Sequence, residues 1–185
     1  KDARKYICCC HLFLPSKKQA AYHHALLNLV EIAAKSNYKL SPRFAMTDFE
    51  PGLQNAIQSV FPKVVNLGCQ FHYLKALWTK AGKKGLKTRK NLANTSRLIT
   101  LLTILVHIPS KQRKDFFTLL TGTYPEHFQE FLEYFRKQWL YMDFMEFKDP
   151  QRERQEKTNN ACESYHAYLS NSFMEDRISN LSQNI

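Results

Sequence analysis

Apolar positions recur along the chain at two different periods. Tyr6 to Leu14 is a short, β-prone apolar run ended by Pro15, and it reads as a largely buried strand. Ser16 is then placed to cap a helix running to about Lys35, because Tyr22, Leu26, Leu29, Val30 and Ala33 share one face at helical spacing. Pro42 breaks the chain before a short strand, Arg43 to Thr47, that ends at Asp48. Glu50 and Pro51 open the next helix, with Leu53, Ala56, Ile57 and Val60 turned inward and Pro62 as its stop. Val64 to Leu67 follows as another strand, and after Gly68 a helix is expected from about Cys69 to Lys80. Strands alternating with helices argue for parallel α/β pairing.

Beyond Gly82 the pattern changes. Gly82-Lys83-Lys84-Gly85 reads as a basic loop, and Ser96 to His107, Lys111 to Leu120 and Pro125 to Gln138 show helical spacing only, punctuated by Pro109, Gly122 and Pro125. Asp149 to Lys157 is a charged connector, and Thr158 to Ser170 reads as a closing helix capped at Thr158 or Asn159. The fold class is therefore α/β with an all-helical insertion. The implied division is a partial core over 1–81, insertion and connector over 82–157, and closing helix with tail over 158–185.

The 185 residues suit one globular domain, and 44% hydrophobic with 13% aromatic content excludes a disordered polymer. The longest strongly apolar stretch, Leu98 to Ile108, is interrupted by Thr100, Thr103 and His107 and is too short to span a bilayer, so no membrane partner is expected. The sequence opens on Lys1-Asp2-Ala3-Arg4, with neither an initiator methionine nor a signal-peptide core, and is read as a piece of a longer protein. Five cysteines, three of them adjacent at Cys8, Cys9 and Cys10, do not form a disulfide framework, and reduced thiols are expected.

Charge sharpens the picture once it is located. The net charge is +11, and Pro51 to Lys114 contains no Asp or Glu while carrying +12; residues 1–50 carry +4 and 115–185 carry −5. A block of this kind, with Lys80, Lys83, Lys84, Lys87, Arg89 and Lys90 at its densest part, suits a polyanion such as DNA through release of phosphate counterions. The competing reading is a solvated basic face that favours solubility.

Three constellations carry candidate chemistry. In Thr47-Asp48-Phe49-Glu50-Pro51 a carboxylate stands where a strand meets a helix, the position at which open α/β sheets place their sites; an N-cap or helix-dipole role competes. Gly68-Cys69-Gln70-Phe71-His72 holds a Cys-x-x-His pair. Zinc at Cys69 and His72 would need two more ligands, for which Cys162 and His166 are available in the sequence, against the alternative of a packed Cys and a hydrogen-bonded His. In Thr158-Asn159-Asn160-Ala161-Cys162-Glu163, Glu163 shares a helix face with Asn159 and Asn160, or is an exposed solubilising charge.

Taken together, Ala45 to Glu50 with Leu53, Ala56 and Ile57, then Phe61-Pro62 and Gly68-Cys69-Gln70-Phe71-His72, then Thr158-Asn159-Asn160 with Glu163, resemble the Mutator-like element (MULE) transposase domain. The match is most specific over residues 47–72. The resemblance implies a ribonuclease H-like core with an all-helical insertion, in which acids bind two Mg2+ or Mn2+ ions for DNA cleavage and strand transfer. Asp48 corresponds to the second acid and Glu163 to the third, within bridging distance of one metal cluster. Cys69 and His72 correspond to the family's Cys-x-x-His, with Asn159 and Asn160 beside Glu163. It further implies a nuclear protein that self-associates in its full-length form. The family's first Asp lies on a strand upstream of the segment resembling Tyr6 to Leu14, so the core is expected to be N-terminally truncated and inactive alone, with an incomplete sheet. A transposase-derived, non-catalytic DNA-binding or regulatory protein is the alternative.

Overall fold

Phe44–Thr47 (β1) and Val65–Gly68 (β2) run side by side in parallel, in the register Phe44 to Val65, Ala45 to Asn66, Met46 to Leu67 and Thr47 to Gly68. They belong to a computed structural model that describes residues 9–105 and 108–142, together with Ser164. The helix Pro51–Val60 (α2) connects the strands, which makes the crossover unit that parallel pairing requires. Pro51 occupies the first turn, where its missing N–H costs nothing, and the helix stops at Phe61 because Pro62 disfavours a helical residue before it. Ala56 and Ile57 are its buried positions.

The first helix, Gln19–Lys35 (α1), packs on α2. Tyr22, Leu26, Leu29, Val30 and Ala33 do share its covered face, but they are half-buried and α1 has no fully buried residue. Lys18, not Ser16, is the N-cap residue; Ser16 Oγ instead accepts from the Lys18 amide at 3.4 Å. The expected strand at Tyr6 to Leu14 is not formed over its described part. Residues 9–14 have no strand assignment, Cys9 to Phe13 are exposed, and Phe13 is 93% exposed. A β-prone run becomes a strand only where a neighbour completes its ladder, and among the described residues β1 and β2 pair with each other.

The main core lies among helices. Gln70–Lys83 (α3) buries Tyr73, Leu77 and Ala81 on one face. Against them pack Leu98, Ile99, Leu102 and Leu105 of Leu92–Leu105 (α4), Phe117 and Leu120 of Ser110–Thr123 (α5), and Phe131, Leu132 and Phe135 of Gln129–Gln138 (α6). A 3-10 turn, Glu126–Phe128, leads into α6 and buries Phe128. The Phe117 and Phe135 rings stack with centroids 5.6 Å apart. Helix α3 runs through Gly82, where the spacing suggested a break, and closes at Gly85, whose φ of +69° suits glycine. The Leu86 amide donates to Ala81 O at 3.0 Å, and buried Leu86 then seals the turn. Thr95 Oγ1 donates to Leu86 O at 2.7 Å, which ties α4 to the same turn.

The described residues form a mixed structure, mostly helical with a small parallel sheet. No helix among them is long and apolar enough to cross a membrane.

Candidate functional site

Thr47 is the last residue of β1 and is buried; Asp48 follows at the carboxyl end of the sheet, half-buried. The N-cap of α2 is Glu50, without a side-chain capping bond, so Asp48 stands two residues ahead of the N-cap and does not act as the cap itself. Cys69 donates its backbone N–H to Thr47 O at 2.8 Å, which sets the start of α3 beside the start of the Asp48 loop. Both strands therefore deliver their following residues to the same end of the sheet, the place where open α/β folds build sites.

The loop is pinned by the two residues that follow Asp48. Phe49 meets the Trp139 ring edge-on at 4.9 Å, and Trp139 meets Tyr73 at the same separation, so Phe49 is anchored in the helical core. Glu50 is held by α1: Tyr22 Oη donates to its Oε1 at 2.8 Å and Lys17 Nζ lies 3.7 Å from its Oε2. Burial first, then the Glu50 bond and the nearby Glu50 and Asp48 charges, push the Tyr22 phenol up to about 12. From α2, Gln54 Nε2 donates to Asp48 O at 3.3 Å and lies 3.5 Å from Thr47 Oγ1. Gly52 permits the close approach of α1, since a Cβ there would stand 2.9 Å from Lys17 O. Tyr22, Gln54 and Trp139 were not legible as site residues. The Phe49 to Trp139 contact spans 90 positions with no motif to announce it.

Among the described residues, no hydrogen bond or ion pair engages the Asp48 carboxylate, which makes it an available hard oxygen donor. Glu50 is already committed to Tyr22 and Lys17. Cys69 is fully buried as the N-cap residue of α3, and His72 is half-buried with its ring edge-on to Phe71 at 5.6 Å. The described residues contain no group of three or more His, Cys, Asp or Glu placed to hold a metal. Glu163, Asn159, Asn160, Cys162 and His166 lie outside the described residues. Ser164, within the expected closing helix, is helical and exposed.

The basic segment divides into engaged and exposed cations. Lys84 pairs with Glu130 of α6, and Lys80 lies over the Tyr134 ring at 4.6 Å with Glu130 also near it. The Lys84 hydrogen bond is the main reason the Glu130 carboxyl is held below its ordinary range. These two lysines thus line a shallow groove of mixed charge with Glu130, Glu133 and Lys137. Lys83, Lys87, Arg89 and Lys90 are exposed at the end of α3 and along the following turn. Arg113, one cation of the acid-free block, is buried, with Nε donating to Ile108 O at 2.7 Å and Nη1 to Met142 O at 3.0 Å; it serves packing rather than the surface.

Residues 1–76 are similar to the family model of the MULE transposase domain. No curated protein and no solved structure matches the chain.

Proposed function

We propose that this protein acts in MULE-type DNA transposition, with Asp48 as a metal-binding acid of a ribonuclease H-like catalytic domain and the helices after Gly82 as its insertion. The observation that supports this most directly is the position of Asp48, at the carboxyl end of a parallel strand, clear of helix capping and followed by two anchored residues, Phe49 and Glu50. The family match over residues 1–76 includes that strand and loop.

In this reading Asp48 and Glu163 hold Mg2+ or Mn2+, with Asn159 and Asn160 beside Glu163, and Glu163 comes to Asp48 in the folded protein. The bound ions supply Lewis-acid activation of a water or 3′-hydroxyl and charge stabilisation at phosphorus. The chain's own contribution is placement. Tyr22 and Trp139 fix the flanks of Asp48, and Gln54 holds its backbone carbonyl. Lys83, Lys87, Arg89 and Lys90 take DNA phosphates, joined by Lys80 and Lys84 when phosphate displaces Glu130. A nuclear location and self-association accompany this activity. The second reading, a transposase-derived DNA-binding or regulatory protein without catalysis, rests on those same exposed cations.

The test is Mn2+ titration by calorimetry together with cleavage of labelled DNA, for the full chain and for Asp48→Asn and Glu163→Gln. Weaker metal binding in both variants, with loss of any cleavage, is the expected result. Metal affinity unchanged by either substitution removes the catalytic assignment, and DNA binding by an unaltered chain that takes up no Mn2+ favours the second reading.

A further inference from the structure

Helix α3 turns Tyr73, Leu77 and Ala81 into the core, and its opposite face is unusual in composition. Phe71, Lys75, Trp78 and Gly82 follow one another at spacings of four, three and four, so they form a single stripe about 16 Å long. Phe71 is 42% exposed, with Lys75 Nζ over its ring at 6.0 Å. Trp78 is half-buried, one part of it against the core, and Lys87 Nζ lies over its ring at 5.6 Å. Gly82 leaves the space for this. A Cβ there would meet Lys87 Cδ at 3.4 Å, and the lysine crosses the helix at that point.

The stripe therefore alternates aromatic rings and ammonium groups, and neither Lys75 nor Lys87 pairs with a carboxylate among the described residues. One end stands next to the sheet end that carries Asp48, because Cys69 bonds Thr47 O and α3 starts one residue later. The other end runs into the exposed cations Lys83, Arg89 and Lys90.

We propose that this face of α3 is a binding track for unpaired nucleotides, stacking a base on Phe71 and placing phosphates on Lys75 and Lys87. A duplex offers phosphates but hides its base faces, so a surface that only neutralised charge would need no exposed ring. Unpaired bases each present a π-face to an aromatic side chain, and the lysines that now cover the rings have phosphate as a better partner. Charge complementarity selects a polyanion, and the rings select one with exposed bases. The proposal rests on the DNA-binding part of the proposed function and adds to it a single-stranded substrate segment leading from the Asp48 end of the sheet.

The experiment titrates the full chain with a dT oligonucleotide of about 12 nucleotides, a duplex of equal length, and polyglutamate. Binding is followed by anisotropy of the labelled ligand and by intrinsic tryptophan fluorescence. The chain has two tryptophans, and Trp139 is 4% exposed, so Trp78 is the one placed to respond. The single strand is expected to bind more tightly than the duplex and to quench tryptophan emission. Phe71→Leu should lose at least about 5-fold in single-strand affinity with little change for duplex, while Phe71→Tyr retains the preference. Circular dichroism of each variant separates lost stacking from lost folding. Equal single-strand and duplex affinity, no effect of Phe71→Leu, or polyglutamate binding equal to DNA each overturns the track while leaving the DNA-binding reading standing. Failure to bind either nucleic acid overturns that reading and the track with it.

Discussion

The Tyr22 hydroxyl donates a 2.8 Å hydrogen bond to Glu50 Oε1, joining residues 28 positions apart. Through it the first turn of α1 grips the loop that presents Asp48, in addition to the Phe49 to Trp139 contact. Tyr22→Phe is expected to cost about 1 kcal/mol, as for one part-buried hydrogen bond, measured by urea unfolding. It should also change the alkaline profile. A phenol raised in the folded state contributes stability fully present below its unfolded value near 10 and lost as pH rises through about 12. The unaltered protein should lose that contribution between these limits, and Tyr22→Phe should not. An identical alkaline slope in both would show that the bond does not persist in solution.

Gly52 sets how closely α1 approaches α2. Its added Cβ would stand 2.9 Å from Lys17 O and 3.2 Å from Gln19 N, both backbone atoms that cannot swing aside as a side chain would. Gly52→Ala should lower the melting temperature despite alanine's better helix propensity, which by itself favours the substitution by about 1 kcal/mol. A rise in melting temperature would mean that the helices separate without cost.

Phe135 is fully buried and stacks on Phe117 in the helical core. Phe135→Ala should destabilise by about 3–5 kcal/mol, from lost transfer energy and the cavity left behind. Leu119, 68% exposed on the neighbouring helix, provides the contrast: Leu119→Ala should change stability by less than about 0.5 kcal/mol. Comparable losses at both positions in chemical denaturation would contradict this core.

Glu130 pairs with Lys84 and lies near Lys80, so under the proposed function it competes with phosphate for both. Glu130→Gln should therefore strengthen DNA binding at low salt and steepen the dependence of log K on log salt by about 0.9 for each lysine released to a phosphate. Folding stability should hardly change, because the pair is at the surface. A salt slope equal to that of the unaltered protein would place both lysines outside the DNA contact.

Local rules determined much of this architecture. Pro51 and Pro62 bracket α2, the apolar spacing of Leu98, Leu102 and Leu105 marks the inner face of α4, and the strand at Phe44–Thr47 ends where Asp48 begins, all readable from residues adjacent in sequence. The family motif over residues 47–72 was equally local and agrees with the match over residues 1–76. What only the tertiary structure decided involves partners far apart in the chain. Tyr22 with Glu50, Phe49 with Trp139 and Lys84 with Glu130 leave no periodic trace, because each depends on which helix covers which face after the chain has folded back. The same reason separates the two β-prone runs. Phe44–Thr47 is a strand because Val65–Gly68 lies in register beside it, whereas residues 9–14 carry the composition of a strand without its ladder, since extended pairing is completed by a neighbour and not by the segment itself.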